Sequence, residues 1–119
     1  GYIMQRERVD VFASAADVIT MDGHVVNKVG TFQIALAAQY HGIPYFVTGS
    51  PNRSHPTANS VPIEERDHSQ VTDIMGTRVV ETAVKAYYPA FDVVPPKLVN
   101  GVVTQKGVFS PYDLARYFE

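Results

Sequence analysis

Three side chains within residues 15–31 have the types and spacing to do chemistry: Asp17, set among apolar residues, and the adjacent pair Asn27 and Lys28. A carboxylate at the end of an apolar run should be partly desolvated, which favours its protonated form and suits general acid or base work. Asp17 could equally cap the following loop by accepting nearby backbone amides. Asn27 and Lys28 precede Gly30 and Thr31, where a helix is predicted to start. Exposed amides at a helix N-terminus favour an anion, and an ammonium with a carboxamide beside them would strengthen a phosphate site. The glycine spacing is not that of a Walker loop. A plainly solvated Lys28 is the competing reading.

Other polar groups have simpler explanations. The run Ile-Glu-Glu-Arg-Asp at residues 63–67 reads as a solvated charged face. The four histidines, His24, His41, His55 and His68, include no pair at helical metal-ligand spacing, so no metal site is expected. Arg53 and His55 could reach a phosphate or face water. Tyr87, Tyr88 and Phe91 suggest packing or a subunit contact, with Asp92 available to brace a site from behind.

The elements that must position these residues can be read from pattern. Residues 1–8 start without a cap and look like the last turns of a helix begun upstream. Residues 9–16 are small and apolar over strand length, which suits a strand buried on both faces. Asp22-Gly23 is a turn dipeptide, for a tight hairpin or a loop reversal. Residues 30–42 place apolar side chains over three turns and stop at Gly42, which predicts a helix. Residues 43–49 follow as a buried strand, so strand, helix and strand form a predicted βαβ unit with a right-handed crossover.

Further along, residues 50–60 are Pro, Asn, Ser, His and Thr-rich and predict a surface loop. Residues 61–67 could be a short edge strand, because Pro62 cannot donate to a ladder. Residues 68–76 fit a short helix capped by Ser69 and stopped by Gly76. Residues 101–109 read as a strand interrupted by Gly107. Residues 110–119 read as a closing helix, with Ser110 at the cap, Pro111 at the first position and Asp113 as the capping-box acid.

At 119 residues the chain is one domain's worth of sequence, taken as a single unit over 1–119. A net charge of −2 gives no case for nucleic acid or an anionic membrane surface. No apolar run approaches the ~18 residues of a membrane span. With no cysteine, disulfides and thiolate sites are out, which is compatible with a reducing compartment, and a cytoplasmic location is the default expectation.

As a set, residues 15–47, the run PIEERD and residues 87–108 resemble the C-terminal part of the methylthioribose-1-phosphate isomerase family. That family includes ribose-1,5-bisphosphate isomerases and the regulatory alpha, beta and delta subunits of the exchange factor for initiation factor 2. The resemblance covers nearly the whole chain, and its most specific runs are N-K-x-G-T-x-Q and P-A-F-D-V. It implies an α/β, Rossmann-like parallel sheet flanked by helices, a homodimer, and aldose-ketose isomerisation of a sugar phosphate in methionine salvage, without metal or redox cofactor. Asp17 matches the family's catalytic aspartate, and Asn27 and Lys28 match the pair that contacts the sugar phosphate. PIEERD favours the isomerase branch over the non-catalytic regulatory or sugar-phosphate-sensing one.

The chain also departs from that pattern. Ala15-Ala16-Asp17-Val18 stands where the isomerases usually have Gly-Ala-Asp-Arg, and Tyr88 stands in place of an Asn. The family's catalytic cysteine and phosphate-binding arginines lie upstream of the matched region, so the resemblance implies a C-terminal piece of the full domain.

Overall fold

A computed structural model describes residues 1–119. In chain order it contains helix α1 (Tyr2–Arg6), strands β1 (Phe12–Ala15), β2 (Val18–Ile19) and β3 (Val25–Lys28), helix α2 (Thr31–Tyr40) and strand β4 (Tyr45–Thr48). The single-turn helix α3 (Ser69–Thr72) and strands β5 (Asp73–Ile74), β6 (Thr77–Arg78), β7 (Phe91–Val94), β8 (Gly101–Thr104) and β9 (Gly107–Phe109) follow. Three 3-10 turns, Ala58–Ser60, Pro96–Leu98 and Leu114–Phe118, lie between or after them.

The predicted strand, helix and strand are present. β1 and β4 pair in parallel, with Phe12 opposite Tyr45, and α2 lies in the connection. β8 joins the other side of β4, also parallel, and β9 turns back against it, giving the order β1-β4-β8-β9. The fold is thus α/β, with parallel strands flanked by a helix. α2 begins at Gly30 in a left-handed conformation and ends where Ile43 N–H donates to the Ala38 carbonyl at 2.8 Å and Gly42 N–H to that of Gln39 at 3.1 Å. These two bonds form a Schellman closure, which needs the positive φ of 69° at Gly42.

One face of the sheet carries the core. Tyr45, Val47 and Val102 are buried there with Ala35 of α2, and Leu98, Val99 and Leu114 close the cluster. Full burial of a side chain such as Val47 is worth about 1.5–3 kcal/mol. Phe12 stacks on Tyr45 with ring centroids 4.5 Å apart. On the other face Ala13 and Ala15 are exposed, so β1 alternates instead of being buried on both sides as predicted. Residues 1–119 build a slab only 21 Å thick, which leaves the second face of β1 uncovered.

A second, antiparallel sheet has the order β2-β3-β7. Asp22-Gly23 makes the β2–β3 hairpin turn, with Gly23 N–H donating to the Thr20 carbonyl at 3.0 Å. β7 then lies along β3, placing Asp92 opposite Asn27 and Phe91 opposite Lys28.

Five further expectations change. Residues 61–67 form no strand and meet residues 88–90 through one bridge, Glu65 with Pro89. Residues 68–76 hold a single helical turn and then the β5–β6 hairpin, whose Met75 and Gly76 both have positive φ, the conformation that suits strand twist. Asp67, not Ser69, supplies the capping oxygen, accepting the Ser69 N–H at 2.7 Å. Gly107 begins the return strand of the β8–β9 hairpin, so the expected single strand is two. The closing segment is a turn followed by a 3-10 helix, whose three-residue repeat aligns Leu114 and Tyr117 so that both are buried.

Candidate functional site

The site has to be built from the carboxyl end of β1 and the end of β3. In open α/β sheets, ligands bind outside the carboxyl ends of strands. Asp17 sits in the bend just past β1, and its backbone N–H donates to the Val26 carbonyl at 2.9 Å. Val18 is paired with Val26 and the Asp17 N–H reaches the same Val26 carbonyl, so the backbone of Asp17 lies beside the end of β3 that carries Asn27. The hairpin turn at Asp22-Gly23 thereby joins two groups that are ten positions apart in sequence.

Asp17 is exposed, which corrects the expectation that apolar neighbours desolvate it. Ala15 and Ala16 are too small to cover a carboxylate, and Ile19, the first bulky residue of β2 to be buried, turns into the core.

Asn27 is half-buried and Lys28 exposed. The Asn27 carboxamide Nδ2 donates to Thr31 Oγ1 at 3.0 Å, and that hydroxyl donates in turn to the Lys28 carbonyl at 2.7 Å. The Lys28 ammonium stands 4.8 Å from the centroid of the Phe91 ring, a cation–π contact that directs the side chain along β7.

The start of α2 is not open to an added anion in the way the sequence suggests. Asp92 Oδ2 accepts the N–H groups of Gly30 at 2.7 Å and Phe32 at 3.0 Å. A carboxylate at this position answers both the unpaired amides and the helix dipole. An anion beside Lys28 would therefore rely on side chains rather than on these two amides.

The remaining candidates separate from this cluster. The Arg53 guanidinium lies 4.0 Å from the centroid of the Phe118 ring, and His55 Nδ1 is 3.2 Å from Ser60 Oγ. Arg66 pairs with Glu64 at 3.2 Å on an exposed surface, and that neighbouring carboxylate holds its guanidinium above the ordinary range. His24 Nδ1 is 3.0 Å from Asp22 Oδ1 in the hairpin turn. No three His, Cys, Asp or Glu side chains converge as metal ligands. Two cavities are present, about 220 Å³ beside Gln39, Lys97 and Asn100 and about 320 Å³ beside His68, Arg78 and Lys85. Neither is lined by Asp17, Asn27 or Lys28.

Asp17, Asn27 and Lys28 are recognisable in the sequence as site residues, whereas Thr31 and Phe91 are not. The alternation of β3 and the register of β7 were the missing signals.

Comparison with known proteins gives this geometry its context. The model of the Initiation factor 2 subunit family matches residues 1–111. A methylthioribose-1-phosphate isomerase of Thermosynechococcus vestitus is 41% identical over 119 residues, covering 98% of this chain and 34% of that protein. Among solved structures, 5-methylthioribose 1-phosphate isomerase from Pyrococcus horikoshii OT3 superposes with a TM-score of 0.89 at 35% identity, covering 98% of this chain and 34% of that one. Translation initiation factor eIF-2B, subunit delta, from A. fulgidus superposes with a TM-score of 0.81 at 34% identity, over 93% and 33%. The chain thus spans about a third of the length of the relatives it matches. No helix is long and apolar enough to cross a membrane.

Proposed function

Since the chain belongs to the Initiation factor 2 subunit family, we propose that it serves, within a longer polypeptide, the aldose-ketose isomerisation of a phosphorylated pentose. The substrate we favour is 5-methylthioribose 1-phosphate, converted to the ribulose 1-phosphate form in methionine salvage. The observation that carries this reading is the similarity to proteins named for that activity across 98% of the chain. The hydrogen bond from the Asp17 N–H to the Val26 carbonyl supports it, because it brings the backbone of Asp17 next to the end of β3 that carries Asn27 and Lys28.

In this reading Asp17 is the catalytic residue and exchanges a proton with the ring or carbonyl oxygen as the furanose opens and the ketose forms. Asn27 and Lys28 hold the substrate, so that binding energy away from the reacting carbon orients it. This chain has no cysteine. The family resemblance implies that the carbon-bound hydrogen is handled by a cysteine upstream of the matched region. Two copies would form a homodimer in the cytoplasm, with a small sugar phosphate rather than nucleic acid or membrane as the ligand.

The test is turnover of 5-methylthioribose 1-phosphate by the full-length polypeptide carrying this chain. Asp17→Asn should lower kcat by about 10²–10⁴-fold, the usual contribution of a positioned acid or base. A second reading is a non-catalytic regulatory or sugar-phosphate-sensing subunit. It is favoured by the likeness to the A. fulgidus subunit and by Val18 standing where an arginine is usual beside the acid. Binding of the sugar phosphate without turnover would select it.

A further inference from the structure

Asn27 can face a ligand with either its oxygen or its nitrogen, and the two ends bind opposite partners. The hydrogen-bond chain around Thr31 commits one of the two Nδ2 hydrogens and thereby sets which way the carboxamide is turned. A backbone carbonyl can only accept, so the bond from Thr31 Oγ1 to the Lys28 carbonyl at 2.7 Å uses the hydroxyl hydrogen. What remains on Oγ1 is a lone pair. The carboxamide atom 3.0 Å away must then be the donor, Nδ2, and Oδ1 is turned from Thr31. The rotor cannot reverse this arrangement freely, because Thr31 is only 7% exposed and sits at the first position of α2.

The second constraint is Asp92. Its Oδ2 takes the N–H groups of both Gly30 and Phe32, so a phosphate near β3 finds a carboxylate already at the helix start. The cation left for it is the exposed Lys28 ammonium, steadied by the Phe91 ring at 4.8 Å. Phosphate oxygens accept hydrogen bonds and are repelled by a carboxamide oxygen, whereas a sugar hydroxyl donates to one.

We infer that Thr31 is a positioning residue that locks the Asn27 carboxamide with Oδ1 free, so that Asn27 takes a hydroxyl of the sugar and Lys28 takes its phosphate. This division of labour rests on the sugar-phosphate reading above. It goes further by giving the two members of the pair different ligand atoms and by tying one of them to a buried hydroxyl.

Thr31→Val keeps shape and removes the hydroxyl, while Thr31→Ser keeps the hydroxyl. Both would be made in the full-length polypeptide, reading KM and kcat for 5-methylthioribose 1-phosphate and the inhibition constant for inorganic phosphate, with the melting temperature as a check on folding. Thr31→Val should raise KM about tenfold, because the amide is then free to turn over, and leave inhibition by inorganic phosphate within twofold. Thr31→Ser should restore KM. An unchanged KM in Thr31→Val, or an equal loss of inorganic phosphate and sugar phosphate, overturns the inference while leaving the proposed activity intact. A wild-type protein that neither binds nor converts the sugar phosphate overturns the proposed activity itself, and the inference with it.

Discussion

Gly23 and Pro111 are in such close contact that a methyl group on the glycine would stand 2.2 Å from the proline carbonyl oxygen. The glycine also has a φ of 86°, which side-chain-bearing residues rarely adopt. The hairpin turn that joins Asp17 to Asn27 is therefore pinned from outside by the segment that follows β9. Gly23→Ala should lower stability by about 2–4 kcal/mol, since it adds both a backbone clash and a strained φ. Equilibrium urea unfolding measures this, and a loss below about 0.5 kcal/mol would mean that the turn shifts without cost.

Asp92 acts as the cap of α2 from a distant strand. Asp92→Ala should cost about 1–2 kcal/mol, in the range of other N-cap losses. Asp92→Asn retains an acceptor oxygen and should cost less than half as much. Equal losses in the two variants, compared by chemical unfolding, would show that the carboxylate charge rather than the hydrogen bonds holds the helix start.

Lys28→Met removes the ammonium while keeping a flexible apolar stem against Phe91. In the full-length polypeptide, KM for the sugar phosphate should rise tenfold or more, with a smaller change in kcat. Added salt should weaken wild-type binding more than that of the variant, because an exposed charge is screened. Steady-state kinetics at two ionic strengths makes the comparison, and an unchanged KM would remove Lys28 from the binding role.

Hydrogen bonding from Ser69, through its side chain first and its backbone N–H second, holds the Asp67 carboxyl below its ordinary value of 3.8, with a smaller contribution from His68. A carboxyl depressed by folding contributes while it is ionised: fully above pH 3.8, and progressively less as the pH falls through its lower folded value. The amide shift of Ser69, followed by NMR, should titrate with a midpoint under 3.8. In Asp67→Ala that titration should vanish, whereas a midpoint at or above the ordinary value would contradict the bond.

Tyr117 is bound at both ends. Its ring is buried, and its hydroxyl lies 3.1 Å from Ser50 Oγ and accepts from Gln105 Nε2 at 3.1 Å. Tyr117→Phe should cost about 1 kcal/mol and Tyr117→Ala about 3 kcal/mol or more, separating the hydroxyl from the ring. Thermal unfolding of the pair provides the check.

These contacts explain which parts of the molecule could be read in advance. β1, α2 and β4 were legible because each is defined locally: small apolar runs for the strands, and for the helix three turns ending at Gly42. The β2-β3-β7 sheet was not, because β2 has two residues and the partner of β3 lies more than sixty positions downstream. Ser110, Pro111 and Asp113 suit a helix start and a tight turn alike, and the contact with Gly23 selects the turn. Met75 at a φ of 50° carries no sequence signal for a hairpin. In the candidate site, Asp17, Asn27 and Lys28 were nameable from motif and resemblance. The exposure of Asp17 and the bridging role of Thr31 depend on where β3 places them.

The distance between α2 and its cap has a consequence for timing. Gly30 and Asp92 are separated by 62 residues, so the helix start leaves the ribosome well before the carboxylate that completes it. At a synthesis rate of about 5–20 residues per second, that interval is roughly 3–12 s. During it the nascent helix has exposed amides and Lys28 has no Phe91 beneath it. The mouth of the site is thus a late product of synthesis, assembled only once β7 has emerged and found β3.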